Sequence, residues 1–382
     1  MANEALGAAK EKKNDEFYTQ YDEIQREINA YLEYEPDTFR DKTVLLPCDD
    51  PEWSNFTRFF AQNFERLGLK KLISTSYASE SKCKNSGMQL SIFDFLTDYE
   101  KQSPQYDESI SPKRGKIFTL TRRSKKIDIN DLQWKYLEGD GDFRSDEVKK
   151  LRDEADIIVT NPPFSLFREF LAWIIAAEKK FIIIGNMNAI TYKEVFPYLK
   201  NNNVWLGCRS LNRDMYFDVP EQMKTWLLQN KKEGSAYKII DNVVMGRLAN
   251  ACWFTNLDHG RRHQPLPLMT MADNLKFSKH KDIKEKGYQK YTNYDAIEVP
   301  YTDAIPCDYD GAMGVPITFL DKYCPEQFVI VGISLELADD MKNHAAKGEY
   351  LAGGRRFYLE EPNGNYKYSR MYDRIVIRRK QA

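Results

Sequence analysis

Apolar positions recur with two alternating periods along the first two hundred residues. Phe17, Tyr21, Ile24, Ile28 and Tyr31 stand near helical spacing and predict an amphipathic helix over 15–32. "TVLLPC" (43–48) is a short apolar run broken by proline, the pattern of a buried strand entering a loop. Phe56, Phe59, Phe60, Phe64 and Leu67 then mark one face of a helix that starts near Ser54 and stops at Gly68. "KLISTSYA" (71–78), "GKIFTLTR" (115–122), "DIIVT" (156–160), "KKFIIIGN" (179–186) and "VWLG" (204–207) predict five further strands. Helices are predicted over 165–178, with Phe167, Phe170, Leu171 and Ile174 in register, and near 193–200. This alternation predicts an α/β fold with an open, doubly wound sheet. Residues 79–114 are polar and irregular, the mark of an insertion, and 1–14 are small and charged, the mark of a flexible terminus.

After Gly207 the alternation stops. Charged, aromatic and proline-containing pieces follow, with no internal repeat and no low-complexity stretch. The expected organisation is therefore a flexible N-terminus (1–14), a sheet domain (15–205) and an α+β region (206–382). "QFVIVGI" (327–333) is the candidate strand to return to the sheet.

Composition narrows the class. The chain has 382 residues, of which 42% are hydrophobic, enough for a sizeable core. No apolar run approaches the roughly 18 residues that span a bilayer. The start lacks the apolar stretch of a secretory signal, so no membrane association and a cytoplasmic location are expected. The six cysteines form no C-x-x-C pair and no histidine cluster accompanies them, which predicts reduced thiols and no metal site. The net charge of -1 argues against coating nucleic acid by bulk charge but permits a local basic face.

The chemistry concentrates at "DIIVTNPPFSLFREF" (156–170). Ligands of an open parallel sheet bind outside the carboxyl ends of its strands, and Asn161 directly follows such an end. Pro162 and Pro163 fix two φ angles, donate no N–H and push the preceding residue to extended geometry. The Asn161 side chain and neighbouring carbonyls are thereby aimed as acceptors for an exocyclic amine, and Phe164 offers a ring on which the aromatic amine can stack. Such an amine is a poor nucleophile because its lone pair is delocalised. Acceptors out of the ring plane favour a tetrahedral nitrogen able to attack a methyl sulfonium, so positioning and electrostatics would carry the rate.

Four blocks sharpen this. "NDEFYTQYDEI", "VLLPCDDPEWSNFTRFF", "GDGDF" and "GAMGVPITFLDKYCPEQFVIVG" stand in an order that resembles the EcoRI-type adenine-specific DNA methyltransferases, over roughly Asp15 to Gly332. The resemblance implies a Rossmann-like methyltransferase sheet with an appended α+β target-recognition region. It implies sequence-specific methyl transfer from S-adenosyl-L-methionine to N6 of a flipped-out adenine in double-stranded DNA. Asn161, Pro162 and Phe164 would position the adenine, and Pro163 would keep the loop rigid. Tyr18 and Thr19 resemble the segment under the methionine moiety. Pro47, Cys48, Asp49 and Asp50 form the cofactor loop, whose carboxylates suit a sulfonium and an ammonium. Asp142 would accept from the cofactor's adenine amine, and Phe143 would pack on its ring. The loop that starts at Pro47 lacks the glycine-rich turn of most methyltransferases. The second strand offers only Ser74, Thr75 and Ser76, or Glu80 beyond them, for the ribose hydroxyls.

Arg209, Asn212, Arg213, Arg261, Arg262, Arg355 and Arg356 are the candidate DNA contacts in the second half, and the lysines between 276 and 290 add to them. A cognate restriction endonuclease acting separately is a candidate partner. The corner itself also suits N4 of cytosine or adenine in RNA, because each presents a planar amine. A non-catalytic DNA-binding protein of the same fold is the alternative outside the enzymes.

Overall fold

The computed structural model describes residues 18–78, 101, 103–122, 133–211, 213–219, 221–248, 250–361 and 364–380. The expectations for 1–14, Phe17 and most of the insertion at 79–114 fall outside these residues. The chain divides into two compact units, one built from residues up to 187 together with 207–259, the other from 188–206 and 260 onward.

The first unit runs β1 (Tyr18–Thr19), α1 (Tyr21–Tyr34), β2 (Thr43–Leu46), α2 (Asn55–Gln62), β3 (Lys71–Thr75), β4 (Lys116–Thr121), β5 (Lys135–Tyr136), α3 (Asp146–Glu154), β6 (Ile157–Thr160), α4 (Phe167–Ile175), β7 (Lys180–Asn186), β8 (Met215–Asp218), α5 (Glu221–Asn230), β9 (Tyr237–Ile240), β10 (Val243–Leu248) and β11 (Ala251–Thr255). Its large sheet has the order β5-β4-β3-β2-β6-β7-β11. The centre, β3-β2-β6-β7, is parallel. β2 and β6 are buried along their whole length, which explains their continuous apolar runs.

Two expectations change. β4 runs antiparallel to β3, so the parallel alternation is broken there. On the other side of the sheet β7 pairs antiparallel with β11, from a segment expected to lie in the α+β region. All five of its residues are buried, and a short uniformly apolar run carries no period by which to assign it. Residues 328–333, the candidate to return to the sheet, pair elsewhere, as described below.

The first helix also starts later than its spacing suggests. Gln20 is extended (φ -63°, ψ 139°), and Tyr18–Thr19 pair antiparallel with β8 in a second sheet ordered β1-β8-β10-β9. Long-range strand pairing overrides the local helical period here. Ile24, Ile28 and Tyr31 of α1 nevertheless join Phe56, Phe59, Phe60, Val44, Leu46, Leu72, Ile182 and Ile184 in one core cluster. Each such side chain contributes about 1.5–3 kcal/mol by leaving water.

The second unit contains the short helix Phe196–Lys200 and strand Trp205–Leu206, near their expected places. It continues with α6 (Met271–Phe277), α7 (Lys281–Lys286), β12 (Ile297–Glu298), β13 (Met313–Pro316), β14 (Phe328–Ile333), β15 (Tyr358–Glu360), β16 (Tyr368–Arg370) and β17 (Arg374–Arg379). Its sheet is ordered β12-β13-β17-β14 and is antiparallel except for β12 with β13. β13 comes from "GAMGVPITFLDKY" and lies in the core, with Met313 and Val315 fully buried. Among the described residues no helix is long and apolar enough to cross a membrane.

Candidate active site at the carboxyl ends of the parallel strands

β2 and β6 are neighbours, Leu45 opposite Ile158, so their carboxyl ends open side by side. The first continues into Pro47–Asp50 and the second into Asn161–Phe164. The buried Asp49 carboxylate joins them. Its Oδ1 accepts from the Ser54 hydroxyl at 2.7 Å, and its Oδ2 accepts from the Thr160 hydroxyl at 2.6 Å. Ser54 Oγ in turn accepts from Phe56 N and caps α2. The Asp49 amide donates to Thr75 O, and the Asp49 carbonyl accepts from Ser74 Oγ. This loop, which contains no glycine, therefore holds its shape through side-chain hydrogen bonds. Pro47 is buried, with its carbonyl accepting from Thr75 Oγ1, and Cys48 is half-buried.

Asp50 has a different setting. Its Oδ1 accepts from Glu52 N at 2.9 Å, and its Oδ2 lies 3.2 Å from Lys116 Nζ. Lys116 also binds Glu52 Oε2 at 2.6 Å, while Glu52 Oε1 accepts from Ser103 Oγ. The Lys116 side chain is only 6% exposed and its ammonium sits 4.7 Å from the centre of the Trp134 ring. One cation on β4 thus anchors both acids of the loop. Lys116 went unnoticed in the sequence, although it stands in phase with the buried Phe118 and Leu120 of the same strand. Ser54, in the same loop as Asp49, and Thr160 were missed as well, and only the fold brings Thr160 to Asp49.

The "GDGDF" loop closes the other flank. Ala78 N donates to Asp140 O at 2.7 Å, and Gly115 N to Gly139 O at 3.0 Å, which stitches the loop to the segment after β3 and to the start of β4. Gly141 has φ +82°, and a Cβ there would fall 2.1 Å from the Ser76 carbonyl oxygen. Asp142 takes three hydrogen bonds from Arg144, through its backbone N, Nε and Nη2. Burial pushes the Asp142 carboxyl up, but the Arg144 contacts outweigh it and hold the group below the usual carboxylate range. The buried Phe143 ring packs edge-on against Phe170 (5.1 Å) and Trp173 (5.6 Å).

At the corner, Asn161 is half-buried with its side-chain oxygen inside, and Pro162 is buried. Pro163 (φ -54°, ψ 122°) accepts from Leu166 N at 2.9 Å, which starts the 3-10 turn Phe164–Leu166 leading into α4. Phe164 packs partly against the core. Behind it the Phe167 ring lies on Gly185, where a Cβ would approach to 2.3 Å. At the start of α2, Asn55 Nδ2 donates to Thr19 O at 2.9 Å. Thr19 Oγ1 is buried and makes no hydrogen bond among the described residues.

The candidate DNA-contacting arginines divide between the two units. Arg209 pairs with Glu23 at 2.5 Å and donates to the carbonyls of Arg213 and Asp214, while Arg213 is exposed. Both belong to the first unit, and Asn212 lies outside the described residues. In the second unit Arg261 pairs with Asp321 at 2.8 Å, and Arg262 stacks over Trp205 at 3.8 Å while donating to Asn202. Arg356 pairs with Asp373 at 2.8 Å, and Arg355 is exposed.

A family model described as "Adenine-specific methyltransferase EcoRI" matches residues 5–380. The Type II methyltransferase M.EcoRI of Escherichia coli is 42% identical over 329 residues, which cover 86% of this chain and 89% of that protein. M.MpnI of Mycoplasma pneumoniae is 33% identical over 380 residues, covering 98% of this chain and 97% of that protein. M.MgeORF184P of Mycoplasma genitalium, also named a Type II methyltransferase, is 33% identical over 374 residues, 98% of both chains. No solved structure matches. A match over nearly the whole chain, with an Asn-Pro-Pro-Phe corner at the end of a central parallel strand, places this protein in the EcoRI family of adenine-specific DNA methyltransferases.

Proposed function

We propose that the chain methylates N6 of adenine at a specific site in double-stranded DNA, with S-adenosyl-L-methionine as donor and the Asn161–Phe164 corner as the catalytic element. The observation that carries this is the latch between the two loops: Asp49 holds the β2 loop to Thr160, the residue before Asn161. Donor and acceptor would thus be kept within reach of each other by one buried carboxylate.

The residues present fit the donor. Its sulfonium and ammonium are cations, and the loop after β2 carries Asp49, Asp50 and Glu52 against the buried Lys116. The buried Thr19 hydroxyl of β1, whose backbone carbonyl accepts from Asn55 at the start of α2, has a hydrogen bond to give. Tyr18, Pro47 and Cys48 flank the same loops in sequence, and Asp142 and Phe143 stand beside the end of β3. The Arg144 contacts leave lone-pair capacity on the Asp142 carboxylate for a further donor. Phe143 would act from within its aromatic cluster. When bound, S-adenosylmethionine supplies an electrophilic methyl carbon.

The chain's own residues do the rest. The adenine must leave the duplex, at a cost of a few kcal/mol, and Phe164 offers the replacement stacking surface. Asn161 Oδ1 accepts one amine hydrogen. A backbone carbonyl of the same corner would accept the other. The two prolines keep both acceptors fixed.

Asn161→Ala is expected to fold and to bind S-adenosylmethionine like the parent while losing methyl transfer by roughly a hundredfold or more. Transfer of labelled methyl to duplex DNA, followed by digestion to nucleosides, measures both rate and product. Near-parental activity in the variant, or label on cytosine, would overturn the assignment. A cognate restriction endonuclease, as a separate chain, is the proposed partner in the cell. Protection of DNA from cells expressing this protein against cleavage at the methylated sequence is the matching assay.

A further inference from the structure

We propose that the helical pair α6–α7 of the second unit is a docking face for the phosphate backbone of duplex DNA, with Phe277 as its apolar contact. The inference rests on the DNA substrate proposed above and adds where the duplex is held.

Charge is the first observation. Residues 276–290 carry six lysines against Asp282 and Glu285, in a chain whose net charge is -1. Lys276, Lys279, Lys281, Lys284, Lys286 and Lys290 are all exposed. Lys279 pairs with Asp303 at 2.8 Å and Lys281 approaches Glu285 at 3.5 Å. Lys284 and Lys286 have no carboxylate partner among the described residues. Such a concentration is unfavourable by itself and is relieved by a polyanion.

Rigidity is the second. The inner side of the pair is fixed: Ile283 and Ser278 are buried, and the buried Asn274 donates to Ala304 O, as does the Tyr288 hydroxyl. The His280 ring stacks on Tyr301 at 3.6 Å, with Nε2 2.7 Å from Asp303. The lysines therefore project from a firm frame, not from a flexible tail.

The third is Phe277. It ends α6 with 60% of its surface exposed, and Lys276 Nζ lies 4.9 Å from its ring centre. A large ring left in water among ammonium groups suits a duplex, where cations meet phosphates and the ring meets sugars or a base step. Exposed lysines at this density oppose burial in an ordinary protein interface, whose core is depleted of lysine.

The test uses the full chain and a fluorescein-labelled random-sequence duplex, with binding followed by anisotropy across a salt series. Lys284→Glu/Lys286→Glu should weaken binding about tenfold or more, and should lower the slope of log K against log salt by about 0.9 for each phosphate no longer neutralised. Phe277→Ala should weaken binding without changing that slope. Lys42→Glu/Lys70→Glu is the control, because these exposed lysines precede β2 and β3, at the opposite ends of the parallel strands from the site. Parental affinity and slope in the Lys284/Lys286 variant would overturn the proposal. So would a defect confined to self-association or to anionic vesicles. If the parent methylates DNA and only this variant result fails, the docking face is wrong and the adenine assignment stands. If the parent transfers no methyl to DNA, the assignment itself fails.

Discussion

At the residue scale, Glu27 shows how burial and hydrogen bonding compete. It lies on the inner face of α1 and accepts from the backbone N–H groups of Cys208 and Arg209 and from the Tyr31 hydroxyl. Gly207 touches it so closely that a Cβ would fall 2.1 Å from Oε1. Burial pushes its carboxyl up from 4.5 to about 7, against the lowering effect of those donors. The folded chain thus keeps a proton that the unfolded chain releases between pH 4.5 and about 7. Stability from this group is greatest below that window and declines as pH rises through it, by about 3 kcal/mol in total. Glu27→Gln should remove that decline, so the stability difference between parent and variant, measured by urea unfolding, should change across the window and be constant above it. Parallel pH profiles for the two proteins would show that Glu27 titrates normally. The helical spacing around Ile24 and Ile28 put position 27 on a helix, but nothing local marked it as buried. Its backbone partners, Cys208 and Arg209, lie about 180 residues away along the chain.

At the element scale, the site depends on loops stitched to strand ends. The "GDGDF" loop was visible as a motif, yet its glycine is required by two separate facts. Gly141 has φ +82°, which costs a side-chain-bearing residue roughly 1–2 kcal/mol, and the Ser76 carbonyl leaves no room for a Cβ. Gly141→Ala should therefore displace Asp140 and Asp142. The expected result is a loss of S-adenosylmethionine affinity of about tenfold or more by calorimetry, with a smaller fall in kcat at saturating donor. Unchanged affinity would remove this loop from the cofactor site. The acid loop tells the opposite story about legibility. "PCDDPEWSNF" stood out for its missing glycine, but the reason it works without one was hidden. Ser54, Ser74, Thr75, Lys116 and Thr160 supply the constraint, and all but Ser54 reach the loop from another element. β4 illustrates the same limit: its alternation predicted a strand, while its antiparallel direction follows from its pairing with β3.

At the scale of the whole molecule, the second unit has its own cooperative centre. Glu298 and Arg374 form a buried ion pair at 2.8 Å between β12 and β17, and the Tyr291 hydroxyl donates to the same carboxylate. Arg374→Met would leave that carboxylate buried without its cation, at a cost of about 3–5 kcal/mol. Amide exchange should then accelerate in β12, β13, β14 and β17 and stay as in the parent in β2 and β6. An equal rise in both units would mean that they unfold as one. Much of this protein was plain from local pattern alone: the α/β class, the central strands and their core phenylalanines, the Asn-Pro-Pro-Phe corner and the blocks that mark its family. Proline geometry and strand burial act within a few residues, so they leave a trace in the string. The rest came from contacts between residues far apart in the chain. These include the Asp49–Thr160 latch, the Lys116 anchor and the pairing of β11 with β7, together with the firm backing of the lysine face. No local period encodes such partners, because any buried acid or short apolar run can be satisfied in many ways until the chain closes on itself.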